Sequence, residues 1–230
     1  MIPYYQSENI TIYNGDCLQI LNEFSDNTFD VIITSPPYNK RHIGGKLVKK
    51  VIYDNVSDDM PEKEYQEWQT NILDECYRVS NQCFYNHKIR YKDYIAIHPM
   101  EWILNTKWKL NQEIVWNRRI TGNIRGWRLW NVDERIYWLI KTRTIELPPK
   151  IAQYTSVWNI APERNNQHPA PFPIELPTRC INISNPLSVL DPFMGSGTTL
   201  LATLLYKSKN IMSVGIEKNK KYCDLAIKRI

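Results

Sequence analysis

Short apolar runs that end in rigid or glycine-bearing turns, with helical stretches between them, leave this chain few folds to choose from. Phe29-Asp30-Val31-Ile32-Ile33-Thr34 leads into Ser35-Pro36-Pro37-Tyr38, and Ser188-Val189-Leu190 leads into Asp191-Pro192-Phe193-Met194-Gly195-Ser196-Gly197-Thr198-Thr199. Mostly apolar runs of this length suit strands buried on both faces, and strands alternating with helices predict an α/β fold with a mostly parallel sheet. Proline cannot continue a ladder, so Pro36 ends the first run. With 230 residues there is chain enough for one such domain, burying roughly 70–75% of its unfolded surface, and too little for a second full one.

The other elements follow the same alternation. Strands are expected at Ile10–Tyr13, Cys83–Tyr85, Asn111–Trp116, Arg135–Ile140 and Ile211–Ile216. Helices are expected from Leu18 to Phe24, over Pro61–Tyr77, near Tyr91–Asn105, over Pro173–Ile183 despite Pro177, over Thr198–Lys207 and over Lys218–Ile230. Residues 39–60 carry Lys40, Arg41, Lys46, Lys49 and Lys50 around Gly44-Gly45 and are expected as a mobile basic loop. No internal repeat or low-complexity tract interrupts the pattern.

Composition narrows the function classes. A net charge of +5 permits a polyanionic partner without requiring one. The five cysteines are scattered and never spaced C-x-x-C, which argues against a zinc site or a disulfide framework and for a reducing, cytoplasmic setting. The first residues lack a basic-then-apolar leader, and no stretch approaches the apolar length of a membrane span. A soluble protein with no metal and no membrane partner is expected.

Chemistry is expected at the carboxyl ends of the strands, where open parallel sheets bind ligands. Val189-Leu190 delivers Asp191 to such an end, and Gly195 and Gly197 permit a sharp turn before a helix beginning at Thr198. Glu217 ends the next strand, 20 residues beyond Gly197, where an acid can accept hydrogen bonds from both ribose hydroxyls. A phosphate loop needs a lysine after the last glycine, and Thr198 stands there instead, so an adenosine carrying a positive sulfonium is a better guest than a triphosphate. At the other string, the Ser35 hydroxyl and the Pro36 carbonyl offer two acceptors to an amino group on a flat ring, and Tyr38 offers a ring to stack on it. Each string alone also reads as a plain structural turn.

Together these strings resemble the β-class DNA amino-methyltransferases, in which a catalytic [DSN]-P-P-[YF] motif precedes the cofactor motif D-P-F-x-G-S-G-T-T. Asp191–Thr199 matches the whole cofactor motif, Asn14-Gly15-Asp16-Cys17 matches the stretch before the first helix, and His168-Pro169-Ala170-Pro171-Phe172-Pro173 matches the family's H-P-x-x-[KF]-P segment. The resemblance implies a Rossmann-like methyltransferase fold, a seven-stranded sheet with one antiparallel strand, and a circularly permuted order of motifs. It implies S-adenosylmethionine as cofactor, held by Asp16, Cys17, Thr34, His168, Pro169, Phe172, Asp191, Pro192, Phe193, Gly195, Ser196, Gly197, Thr198, Glu217 and Lys218. Ser35, Pro36, Pro37 and Tyr38 would be catalytic, acting on an extruded base. Ser35 in place of Asp, with Phe172 in place of Lys, favours cytosine N4 slightly over adenine N6.

Two departures stand out. Arg78-Val79 leads into Ser80-Asn81-Gln82 rather than a glycine-rich turn, and the segment between Ile145 and Gln167 is too short for a separate target-recognition domain. DNA contact then falls to loops: Lys40, Arg41, Lys46, and, within residues 118–134, Arg118, Arg119, Arg125, Trp127, Arg128 and Trp130. A homodimer is a candidate assembly. Rival readings are an RNA or protein-glutamine methyltransferase, in which Asn usually precedes Pro-Pro and the cofactor motif comes first, and a catalytically silent DNA-binding module.

Overall fold

Along Val31-Ile32-Ile33 the side chains turn alternately to two apolar clusters, Val31 and Ile33 to one and Ile32 to the other, so both faces of this strand are covered. The computed structural model describes residues 1–39, 59–119, 126–142, 147, 151, 154–163 and 173–230. In chain order the elements are β1 (Tyr5–Gln6), β2 (Ile10–Asn14), α1 (Cys17–Leu21), β3 (Val31–Thr34), α2 (Glu62–Val79), β4 (Gln82–His87), β5 (Arg90–Lys92), β6 (Ile95–Ile97), α3 (Met100–Ile103), β7 (Lys109–Asn117), β8 (Asp133–Ile140), β9 (Val157–Asn159), α4 (Glu175–Ser184), β10 (Ser188–Asp191), α5 (Thr198–Leu204), β11 (Met212–Glu217) and α6 (Lys220–Arg229).

One sheet runs β1-β2-β11-β10-β3-β4-β8-β7-β9, and β5 and β6 form a separate hairpin. The five strands from β2 to β4 are mutually parallel. β8 runs against both its neighbours, β4 and β7. The sheet therefore has nine strands where seven were expected; the added pair, β1 and β9, are edge strands of two and three residues. Helices α1, α2 and α3 cover one face, with Leu21, Ile72, Leu73, Cys76 and Trp102 packed on Ile32, Tyr85 and Leu139. On the other face, α4 and α5 pack Cys180, Ile181 and Ala202 on Val31, Phe84 and Val189, while Cys223 and Ala226 of α6 meet Ile10 and Ile12.

The crossover from β10 through α5 leads to β11 on one side, and that from β3 through α2 leads to β4 on the other. The direction of winding reverses between β10 and β3, which is where such sheets open a crevice. Both strings singled out in the sequence leave the sheet at this switch point.

The expected helix near Tyr91–Asn105 is absent. The chain instead forms the hairpin β5–β6 and a single turn, α3. Asp93 and Tyr94 hold left-handed φ of 49° and 65° at the hairpin tip. Pro99 disfavours helical geometry at His98, so the helix starts only beyond it. Pro177 is tolerated because it is the third residue of α4, where its missing N–H would have had no intrahelical acceptor. Among the described residues no helix is long and apolar enough to cross a membrane. All five cysteines are free and buried.

Candidate active site

Two strands end side by side and are bonded to each other there. β3 and β10 pair with Leu190 opposite Ile32, which brings Asp191 level with the end of β3. Thr34 Oγ1 donates to Asp191 Oδ1 at 2.9 Å, Phe193 N donates to the same oxygen at 3.1 Å, and Thr199 Oγ1 donates to Oδ2 at 2.6 Å. Asp191 is fully buried, and burial pushes its carboxyl up to about 6 against the pull of those donors. Its carboxylate is thus the knot that ties the two strings beneath the crevice.

The glycine turn is held from two sides. Gly195 and Gly197 have φ of 51° and 77°, and a Cβ on Gly197 would lie 2.9 Å from Ala226 Cβ, so α6 packs against bare backbone. Arg229, near the end of α6, donates to Ser196 O and Ser196 Oγ at 2.7 Å each and to Thr198 Oγ1 at 3.2 Å. Glu217 Oε2 accepts from Gly195 N at 3.1 Å and Oε1 from Asn219 N at 2.7 Å. Burial, and then the charge of Asp191, outweigh these donors and push Glu217 up to about 7. Beside it, Asn14 Nδ2 donates to Glu217 O and Lys218 O, joining the ends of β2 and β11. Asp16 caps α1 through Leu18 N and faces Lys218 Nζ at 3.4 Å. The Cys17 thiol is buried and pushed up to about 12, so it stays neutral.

The Ser-Pro-Pro-Tyr string is held by partners that the sequence did not announce. Tyr38 Oη lies 2.9 Å from Ser35 Oγ, 2.9 Å from Asn86 Oδ1 and 3.0 Å from Glu134 Oε2. Its single proton belongs on the carboxylate, the strongest acceptor of the three. Ser35 Oγ then donates to Asn86 Oδ1 at 3.1 Å, and Asn86 is itself oriented by donating Nδ2 to Arg135 O. Glu134 is buried against Arg118 Nη1 at 3.1 Å and Lys88 Nζ at 3.9 Å. Burial and the neighbouring Glu134 charge keep the Tyr38 phenol neutral.

A second network fixes the backbone between the prolines and Tyr38. Trp102 Nε1 donates to Tyr85 Oη, Tyr85 Oη to Gln69 Oε1, Gln69 Nε2 to Tyr65 Oη, and Tyr65 Oη to Pro37 O, at 2.7–3.0 Å. His87 Nε2 lies 2.7 Å from Tyr65 Oη, and burial pushes this histidine down to about 3, so it is neutral. Its ring is 4.5 Å from that of Tyr38. Beyond the string, Asn39 and Met60 exchange hydrogen bonds, tying the chain on either side of residues 40–58.

Of the sequence-derived site residues, Asp16, Thr34, Ser35, Tyr38, Asp191, Gly195, Gly197, Glu217 and Lys218 line adjacent ends of β2, β11, β10 and β3. Lys40, Arg41, Lys46, Arg125, His168, Pro169 and Phe172 lie outside the described residues. Arg118 turns inward to Glu134, whereas Arg119 is exposed. Trp127 and Trp130 are exposed. Asn86, Glu134, Tyr65, Gln69 and Arg229 were missed. A signal was present for some of them: Asn86-His87 puts polar residues at the end of an apolar strand, and Tyr65 and Gln69 stand four apart on the buried face of α2. Among the described residues no group of His, Cys, Asp and Glu is arranged to hold a metal ion.

Comparison with known proteins agrees with this geometry. A family model described as DNA methylase matches residues 29–228. The type II methyltransferase M.ScaI of Streptomyces caespitosus is 26% identical over 99% of this chain and 83% of its own length. The PvuII DNA methyltransferase (cytosine-N4-specific) superposes with a TM-score of 0.79 at 20% identity, covering 99% of this chain and 88% of that one. A putative DNA modification methylase of Thermus thermophilus, solved in complex with S-adenosyl-L-methionine, gives a TM-score of 0.69 at 19% identity over 96% of this chain and 94% of that one.

Proposed function

The chain belongs to the DNA methylase family whose model spans residues 29–228, and from that premise we propose that its switch-point crevice transfers a methyl group to the exocyclic amine of an extruded cytosine. The observation that carries the reading is the Thr34–Asp191 bond, which sets the Ser-Pro-Pro-Tyr string beside the glycine turn. A site-specific DNA methyltransferase acting on cytosine N4 or adenine N6 is what membership implies.

The cofactor is S-adenosylmethionine, which supplies a methyl group on a positively charged sulfur. The residues present fit it. Glu217 presents a half-buried carboxylate whose ionised form a ribose diol would satisfy, and Asp16 stands at the neighbouring strand end with Lys218 beside it. Gly195, Ser196 and Gly197 bring backbone close, braced by Arg229. This acceptor-rich set suits an adenosine sulfonium better than a phosphate.

Ser35 and Pro36 hold the amine. With the Ser35 proton on Asn86 Oδ1, a lone pair of Ser35 Oγ is left to accept one amine N–H, and the Pro36 carbonyl accepts the other. Two acceptors on one nitrogen favour its pyramidal form and free the lone pair that the ring otherwise withdraws. The Tyr38 ring stacks on the base. After transfer the nitrogen bears a positive charge and loses one proton to Ser35 Oγ. As the Ser35 O–H turns from Asn86 Oδ1 to Tyr38 Oη, Ser35 passes its own proton to Tyr38, and Tyr38 passes its proton to Glu134 Oε2.

Cytosine N4 is favoured because Ser35 stands where a carboxylate would otherwise be and is bonded to the amide of Asn86 rather than to an acid. The likeness in fold to the cytosine-N4-specific PvuII enzyme points the same way. The test is incubation with labelled S-adenosylmethionine and mixed-sequence duplex DNA, then digestion to nucleosides and mass analysis. N4-methylcytosine is expected; N6-methyladenine alone would move the reading to adenine, and label in neither would overturn it.

A further inference from the structure

The hairpin β5–β6 takes no part in the site described above, yet it springs from it. β4 ends on Asn86 and His87, and Arg90 opens β5 three residues later. Arg90 anchors the base of the hairpin: its guanidinium pairs with both oxygens of Glu62 at 2.7 Å and lies 4.5 Å from the centre of the Tyr65 ring. At the tip Asp93 and Tyr94 both hold left-handed φ, a strained choice for residues with side chains, and Tyr94 and Ile95 stand 75% and 68% exposed.

Residues 126–130 buttress this tip. The Trp127 ring meets Tyr91 and Tyr94 edge-on at 5.6 and 5.1 Å. The Arg128 guanidinium lies 4.3 Å from the centre of the Tyr91 ring and is held by Asn131 Oδ1 at 2.7 Å. The same segment runs on into β8, whose Glu134 bonds Tyr38. Since β4 and β8 pair with Asn86 opposite Ile136 and His87 opposite Arg135, both arms rise from the end of the sheet that carries Tyr38. The platform so formed is aromatic and cationic, with Lys92 and Arg128 among its side chains and Arg119 exposed nearby on the chain.

We propose that Tyr94 and Ile95, braced by Trp127 and Arg128, form the wedge that enters duplex DNA beside the target base and fills the stack it vacates. The proposal rests on the reading of Ser35–Tyr38 as the base pocket. Duplex DNA is the occupant the features select: a base inside a duplex must leave the stack before its amine can be reached, apolar side chains are what such gaps accept, and the flanking cations suit phosphates. Trp127, expected from the sequence to contact DNA itself, supports the wedge edge-on.

The experiment compares the wild-type chain with the double substitution Tyr94→Ala, Ile95→Ala, two exposed positions. Methyl transfer and binding are both measured on unmethylated mixed-sequence duplex DNA and on the same DNA denatured to single strands. The variant should lose at least tenfold in kcat/KM and in affinity on duplex, while its affinity for single strands and for S-adenosylmethionine stays within twofold. Equal losses on both forms of DNA, or no loss on duplex, would overturn the wedge. So would a fall from dimer to monomer by light scattering, which would make the tip a contact between copies. If the wild-type chain transfers no methyl group to DNA, the base pocket fails, and the wedge then stands or falls on the binding comparison alone.

Discussion

Taking the charge off Glu217, by acid or by Glu217→Gln, probes the cofactor end of the site. An ordinary glutamate titrates near 4.5, but burial and the nearby Asp191 push this one up to about 7. Each pH unit is worth 1.36 kcal/mol, so ionising Glu217 in the ligand-free protein costs about 3 kcal/mol. Because the folded value is raised, its contribution to stability is full below pH 4.5 and is lost as the pH climbs through 7. A ribose diol donates hydrogen bonds and so binds the anion. The ionised fraction falls from about 0.9 at pH 8 to about 0.1 at pH 6, and affinity for S-adenosylmethionine should fall about tenfold over that span. A carboxylate left near 4.5 would change affinity by only a few per cent there. Calorimetric titration at pH 6, 7 and 8 reads this directly. Glu217→Gln keeps the shape but turns an NH2 group toward Gly195 N or Asn219 N, so it should bind more weakly and lose the slope. The variant retains Asp191 and the cofactor's own amine, so any slope it keeps belongs to those groups. Wild-type affinity flat within twofold from pH 6 to 8, or the same slope in the variant, would refute the assignment.

Three further outcomes divide the site. Tyr38→Ala should lower kcat about a hundredfold or more while leaving the Kd for S-adenosylmethionine within threefold, because the ring is assigned to the base and not to the cofactor; equal loss of both would show the division to be wrong. Tyr65→Phe removes the O–H on Pro37 O and takes the phenol oxygen from His87 Nε2 and from Gln69 Nε2, which keeps only its 3.4 Å bond to Pro37 O; this should cost about 1–3 kcal/mol in denaturant unfolding and lower kcat more than it raises KM. Glu134→Gln leaves Arg118 and Lys88 without their shared buried anion, so stability should fall by about 3 kcal/mol, and the pH dependence of kcat should change while cofactor affinity does not.

The parts of this molecule that could be read from the chain are those whose parts are neighbours in sequence. Thr34 to Tyr38 and Asp191 to Thr199 each fold as one turn after one strand, so residue types and spacing were enough to announce them. The doubly covered sheet was legible for the same reason, since burial on both faces leaves Val31-Ile32-Ile33 of β3 and Val189-Leu190 of β10 as unbroken apolar runs. The hairpin failed because Tyr91–Asn105 carries no strong period, and its shape depends on two left-handed residues and on Trp127 arriving from another part of the chain.

The residues that hold the Ser-Pro-Pro-Tyr string were hidden for a different reason. Asn86 and Glu134 reach Tyr38 only because β8 runs antiparallel beside β4, which places Arg135 opposite His87 and so brings Glu134 to the mouth of the crevice. A one-residue slip in that pairing would turn Glu134 to the other face of the sheet and leave Tyr38 without its acid. Register is a property of the assembled sheet, and no local pattern states it. The same fact explains Arg118. Read alone it is a free cation suited to phosphate, but with Glu134 in this register it is half of a buried ion pair, and its charge is used on Tyr38's side of the site. Cationic residues therefore divide by what the sheet brings beside them: Arg118 and Lys88 meet an acid and hold the Ser-Pro-Pro-Tyr string, while Lys92 and Arg128 flank the hairpin tip, where the proposed duplex would lie.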